Sequence, residues 1–127
     1  MKVISIKQPW ASLIISGYKI YEFRTWKTKY RGRLLIHASK TIDKKALQRF
    51  EHLNLEYPLG QVIGEVDLID CLELNPSLAR KIYNEDSNVY KNVLNHVGYA
   101  WKLENVKKYD DYITINGKLG LWELDKK

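Results

Sequence analysis

Gly17-Tyr18-Lys19-Ile20-Tyr21-Glu22-Phe23-Arg24-Thr25-Trp26-Lys27-Thr28-Lys29-Tyr30-Arg31-Gly32-Arg33 sets six cations and five aromatic rings around one carboxylate. Residues 20–26 alternate with the period of a β-strand, so Ile20, Glu22, Arg24 and Trp26 share one face and Tyr21, Phe23 and Thr25 the other. Tyr30-Arg31-Gly32 then turns the chain into a second strand, Arg33 to Ser39. Lys19 sits where a helix end passes into the first strand, and alternation does not fix its direction. Basic side chains neutralise phosphates and aromatic faces accept stacked bases, so the stretch reads as a nucleic-acid surface. It also brings a Lys, a Glu and an Arg close enough to share a pocket that binds a ligand or transforms it.

Outward from this stretch, short strands and helices alternate without a linker, repeat or low-complexity tract. Val3 to Ile6 reads as a strand. Pro9 sits at a helix start, with Trp10, Leu13 and Ile14 at helical spacing and Gly17 as the stop. A helix capped by Thr41 or Asp43 follows, with Ala46, Leu47, Phe50 and Leu53 on its buried stripe. Gly60 to Leu72 is a long β segment. Asn75-Pro76 opens a helix with Leu78 and Ile82 on one face, and Ser87 is placed to cap a shorter one using Val89, Val93 and Leu94. Strands return at Tyr99–Leu103, Tyr112–Ile115 and Lys118–Leu124, the last two joined by the hairpin signal Asn116-Gly117. Short strands with helices at the edges predict an α+β fold, a small mixed β-barrel closed by helices.

The 127 residues suit one domain, spanning 1–127, with a real core. The longest apolar runs are too short to cross a bilayer. A lone Cys71 excludes an internal disulfide and a Cys-rich zinc site, and is expected in a packed strand. No signal-peptide pattern opens the chain, so a cytoplasmic location is expected. The net charge of +6 hides an asymmetry: residues 1–50 hold twelve Lys and Arg against Glu22 and Asp43, whereas residues 51–127 hold nine cations against thirteen acids. A polyanion is the expected partner of the first half. His37, His52 and His96 are too scattered for a zinc motif, and no metal or other cofactor is expected.

Separated blocks of the chain together resemble the ASCH domain family. They are Ser5-Ile6-Lys7-Gln8-Pro9-Trp10-Ala11, then Gly17-x-Lys19-x-x-Glu22-x-Arg24-x-Trp26, then Tyr30-Arg31-Gly32-x-Leu34-Leu35-Ile36-His37-Ala38-Ser39. Gly60-x-Val62-x-Gly64, Tyr99-Ala100-Trp101 and Gly120-Leu121-Trp122 continue the match over nearly the whole length. The resemblance implies a PUA-like β-barrel, an association with RNA in its metabolism, in translation or in transcription, and a ligand cleft lined by Lys19, Glu22 and Arg24.

Each residue then carries a chemical expectation. Arg24 offers a planar fork to a phosphate or a base edge, held by Glu22 two residues away. Glu22 can also accept from an exocyclic amine. Lys19 is a phosphate contact if it faces water, or a base of lowered pKa if it faces a partly dry cleft. Glu65, a carboxylate within an apolar strand, needs a partner, for which Lys19 and Arg24 are expected. Trp26 is the stacking platform; Tyr30, Arg31, Ser39 and Lys40 complete the ligand-binding set. Lys27, Lys29 and Arg33 extend the basic surface. Trp10 is expected to pack partly against the barrel, and Trp101, Trp122 and His37 are read as structural.

The expected ligand is single-stranded RNA, a nucleotide or a nucleoside. The alternative is a metal-independent hydrolase with Lys19 and Glu65 as catalytic groups. As a ribonuclease it would join Lys19 to a hydroxyl such as Tyr30 or Ser39. As an acetylcytidine amidohydrolase it departs from that class, because the class carries Thr three residues after its Lys and this chain carries Glu22.

Overall fold

A computed structural model describes residues 1–124. The chain runs β1 (Lys2–Gln8), α1 (Trp10–Ile15), β2 (Tyr21–Arg24), β3 (Gly32–Ile42), α2 (Lys44–Arg49), β4 (Gln61–Glu73), α3 (Pro76–Glu85), β5 (Tyr99–Thr114) and β6 (Leu121–Glu123). Single 3-10 turns lie at Glu51–Leu53 and Val93–Asn95. The strands form one mixed sheet in the order β2-β5-β4-β3-β1-β6. Among the described strands only β1 and β3 run parallel.

The α+β expectation holds, with one correction. Among the described residues no backbone ladder closes the sheet into a barrel; its edge strands are short, four residues in β2 and three in β6. The sheet nevertheless curls back on itself. Four strand steps separate β2 from β1, about 19 Å in a flat sheet. Yet Arg24 Nη2 on β2 donates to the Ser5 carbonyl on β1 at 2.9 Å. A side chain therefore bridges the gap that a closed barrel would fill with backbone hydrogen bonds.

Alternation supplies the main core. Ile4, Ile6, Leu34, Ile36, Ala38, Val66, Leu68, Trp101 and Leu103 meet Ala11, Ile14 and Ile15 of α1. A second cluster seats Leu13, Tyr21, Phe50, Ala79, Ile82, Tyr90 and Val93 between the helices and β2, with Trp10 packed partly against both. Burying side chains of this size contributes roughly 1.5–3 kcal/mol each. Trp101 and Trp122 are buried, as expected, and Cys71 is half-buried in β4.

Other expectations shift locally. Asp43, rather than Thr41, caps α2 by accepting from Ala46 N at 3.1 Å. Asn75 caps α3 in the same way. Instead of a helix capped by Ser87, the chain makes turns held by Asp86, whose Oδ1 accepts from Asn88 N and Val89 N. Tyr99 to Thr114 is a single long strand.

The Asn116-Gly117 hairpin does not form: β6 pairs with β1, not with β5. Gly117 lacks the positive φ that a type I′ turn requires. It serves instead as a close approach, since a Cβ there would lie 2.8 Å from both His37 Cε1 and Ser5 Oγ.

Candidate functional site: a cleft between β1 and β2

Gly17, at φ +88°, ends α1 in a left-handed turn. The amides of Tyr18 and Lys19 both return to the Leu13 carbonyl, at 2.9 and 3.2 Å. This reversal sends Lys19 inward, and its side chain is only 3% exposed. Its Nζ donates to the Tyr21 carbonyl and lies 3.6 Å from Glu22 Oε1. The ring centroids of Phe23, Tyr90 and Trp10 stand 4.5, 5.5 and 5.8 Å away, so aromatic faces enclose the rest of the ammonium. Burial pushes its pKa down to about 8; Glu22 opposes that fall and Arg24 adds to it.

Glu22 is shared between two cations. Its Oε1 faces Lys19, while Oε2 accepts from Arg24 Nε at 3.1 Å and lies 2.9 Å from Nη2. Two cations against one carboxylate leave the group with one net positive charge while Lys19 is protonated. Arg24 is 22% exposed, and its Nη1 has no protein partner among the described residues. That nitrogen is the group's open donor.

Side chains around the cleft hold the backbone of β2. Lys19 occupies the Tyr21 carbonyl, Tyr90 Oη accepts from Ile20 N at 2.8 Å, and His96 Nε2 donates to the Arg24 carbonyl at 3.3 Å. Burial pushes the Tyr90 hydroxyl up to about 12.

A cavity of about 590 Å³ opens over this group, in the gap between β1 and β2. Lys19, Glu22, Arg24, Trp26 and Ser39, all anticipated from the sequence, line it. Trp26 is 36% exposed and stands edge-on to the buried Trp101, with ring centroids 4.8 Å apart at 89°. Among the cleft's rings it is the most exposed: Tyr90 is buried, while Trp10 and Phe23 are half-buried against Phe50, Tyr90 and His96.

The remaining expected residues lie outside the cavity. Tyr30 donates its hydroxyl to the Arg33 carbonyl, so the expected Lys19–Tyr30 pairing is absent. Arg31 faces Asp70 at 3.7 Å and two backbone carbonyls. Lys40 packs its stem over Gly60. Glu65 meets neither Lys19 nor Arg24, because β4 presents it to Arg33 at 3.6 Å and to the Tyr109 hydroxyl. Arg33 also pairs with Asp67 at 3.1 Å. Lys27 and Lys29 are exposed beyond Trp26 and make no ion pair among the described residues.

His37 is 2% exposed and structural. Its Nε2 faces the Ile115 carbonyl at 2.9 Å and must carry the proton there, so in the neutral ring Nδ1 accepts from Ser5 Oγ. Among the described residues no cluster of three or more His, Cys, Asp or Glu is placed to hold a metal, and no helix is long and apolar enough to cross a membrane.

Sequence reasoning missed one whole wall. Val89, Tyr90, Asn92, Val93 and His96 come from the segment after α3, and Lys7, Thr41, Lys118 and Leu119 join from β1, β3 and the approach to β6. Of these only Lys7 falls in one of the family blocks, Ser5 to Ala11, and nothing local shows where its side chain points. Only the curl of the sheet brings them to the cleft.

The ASCH domain model matches residues 4–115. The chain is 33% identical to activating signal cointegrator 1 of Homo sapiens over 144 residues, and equally to that of Mus musculus over 143. Each alignment covers 98% of this chain and 22% of the relative, so the chain spans about a fifth of those proteins. The crystal structure of ASCH from Zymomonas mobilis superposes with a TM-score of 0.65 at 18% identity, covering 98% of this chain and 87% of that one. Lys19, Glu22, Arg24, Trp26 and Ser39 of the cleft, with the wall from Val89 to His96, all fall within the matched residues, and the chain belongs to the ASCH domain family.

Proposed function

We propose that this PUA-like domain binds single-stranded RNA or a nucleotide in the cleft between β1 and β2, in a role in RNA metabolism, translation or transcription. One observation carries the reading: the accessible ring of Trp26 lines the same net-positive cavity as the open guanidinium nitrogen of Arg24. An aromatic face accepts a base whatever its sequence, and a planar guanidinium accepts a phosphate or a base edge. A cavity of about 590 Å³ lies in the range that small ligands occupy. Lys27 and Lys29 extend the basic approach beyond Trp26, while Arg31 and Arg33 add less because carboxylates of β4 already face them.

Fluorescence anisotropy with a labelled single-stranded RNA tests this. Affinity is expected to fall steeply between low and moderate salt. Arg24→Ala and Trp26→Ala each weaken it, the latter by roughly 1–3 kcal/mol for a lost stacking contact. Salt-independent binding, or both variants binding as wild type, contradicts the reading.

One feature favours a second reading, hydrolysis of RNA or of an acylated nucleoside: Lys19, at about 8, is partly neutral near physiological pH and so able to accept a proton. Incubation with RNA and a panel of acetylated cytidines, without added metal, decides it. Turnover abolished by Lys19→Ala supports the hydrolase; absence of turnover removes it.

A further inference from the structure

The family motif supplies the cleft's most buried cations, Lys19 and Arg24, and both are already engaged by Glu22 and by backbone carbonyls. The other cations that line the cavity, Lys7 and Lys118, are exposed and face no carboxylate within ion-pair distance among the described residues.

Strand register sets Lys7 beside two hydroxyls of β3. In the parallel β1–β3 ladder, Ile6 pairs with Ala38 and the next pair is Gln8 with Ile42. Lys7 alone on β1 therefore stands opposite Ser39, Lys40 and Thr41 on β3. Such a bulge re-aims side chains. Ser39 and Thr41 line the cavity, while Lys40 between them packs over Gly60. Ser39 Oγ accepts from Thr41 N at 3.3 Å, which leaves its own O–H to donate elsewhere. Thr41 Oγ1 has no protein partner among the described residues. Lys118 lines the same cavity from the segment before β6, its Nζ 5.7 Å from the Trp122 ring centroid.

Building on the cleft reading above, we propose that Lys7, Ser39, Thr41 and Lys118 form its phosphate subsite, which holds one phosphate of a nucleotide whose base lies against Trp26. Two unpaired ammonium groups and two hydroxyl donors match the charge and acceptor oxygens of a phosphate ester. Glu22, the carboxylate lining the cavity, is turned to Lys19 and Arg24. The phosphate comes from a free nucleotide or from an RNA strand, and both present the same group.

Calorimetric titration separates these cases. The probes are the four ribonucleosides, their 5′- and 3′-monophosphates, and an RNA pentanucleotide, each against wild type and the Lys7→Gln/Lys118→Gln double variant. For a free nucleotide, wild type binds a monophosphate about tenfold more tightly than its nucleoside, as charge-assisted hydrogen bonds would supply. The double variant loses that ratio, keeps nucleoside affinity and keeps its Tm, because both lysines are exposed. For an RNA phosphate, the variant instead loses pentanucleotide affinity, and its salt slope falls by about 0.7 for the one phosphate released. If neither the monophosphate ratio nor pentanucleotide affinity falls in the variant, the subsite is overturned while the cleft stands. If wild type binds none of the probes, the cleft reading is overturned with it.

Discussion

Two neighbouring clusters of cations, Lys19 with Arg24 and Arg31 with Arg33, come from one basic stretch and end in different places. The first closes on Glu22 of its own strand and lines a cavity; the second is met by Glu65, Asp67 and Asp70 from β4. The asymmetry between a basic first half and an acidic second half is thus partly cancelled inside the fold. Charge in a sequence becomes an electropositive surface only where no facing strand supplies the counter-charge. Here that place is the gap between β1 and β2, where no strand completes the sheet.

Disrupting the first cluster has the largest consequence. Glu22→Ala leaves Lys19 buried without its carboxylate and Arg24 half-buried beside it, and destabilises the protein by about 3–5 kcal/mol in urea unfolding. Glu22→Gln keeps an acceptor and costs less. A Glu22→Ala protein as stable as wild type would mean that the cluster does not hold the site together.

Titration reads the same cluster more gently. Burial holds the pKa of folded Lys19 down at about 8, against the ordinary 10.5 of an exposed lysine. Between those values the unfolded chain binds more protons, so this group makes stability rise with pH, by about 2 kcal/mol from pH 8 to 10. Above pH 10 the slope reverses, because folded Tyr90 keeps its proton to about 12 while the unfolded phenol loses it. Lys19→Met flattens the rise. A rise that persists in this variant assigns it to another group.

The second cluster gives the smallest effects. Arg33→Ala leaves the mostly buried Glu65 without its cation and lowers stability by about 1 kcal/mol, less than Glu22→Ala, with RNA affinity as in wild type. Lys27→Ala/Lys29→Ala, by contrast, lowers the salt dependence of RNA binding without altering Tm. If Arg33→Ala weakens binding more than the lysine pair, the two clusters have exchanged roles.

What the sequence made legible was local. Alternation in residues 20–26 gave β2 and the Glu22–Arg24 pairing, and Asn75-Pro76 gave the start of α3. Across the strands the reading was weaker. Glu65 was matched to the cations of β2 because nothing local reveals that β4 lies beside β3, which brings Arg33 to it. Asn116-Gly117 read as a hairpin because its dipeptide does so in isolation, whereas Gly117 is held against His37 and β6 joins β1. Lys7, Thr41, His96 and Lys118 are not legible as cleft residues for the same reason: each reaches the cleft through curl, bulge or loop, none of which has a short-range signature.

The central claim is that the ligand enters the β1–β2 gap and not the basic surface around Arg33. Titrating isotope-labelled protein with a single-stranded RNA, and following backbone amides and the Trp26 indole by NMR, tests it most directly. The account predicts shifts concentrated at Thr25, Trp26, Ser39, Asn92 and residues 118–120, with Arg33, Glu65, Asp67 and Asn105 unmoved. Shifts centred on Arg33 and its β4 partners, with the Trp26 indole unchanged, would contradict it.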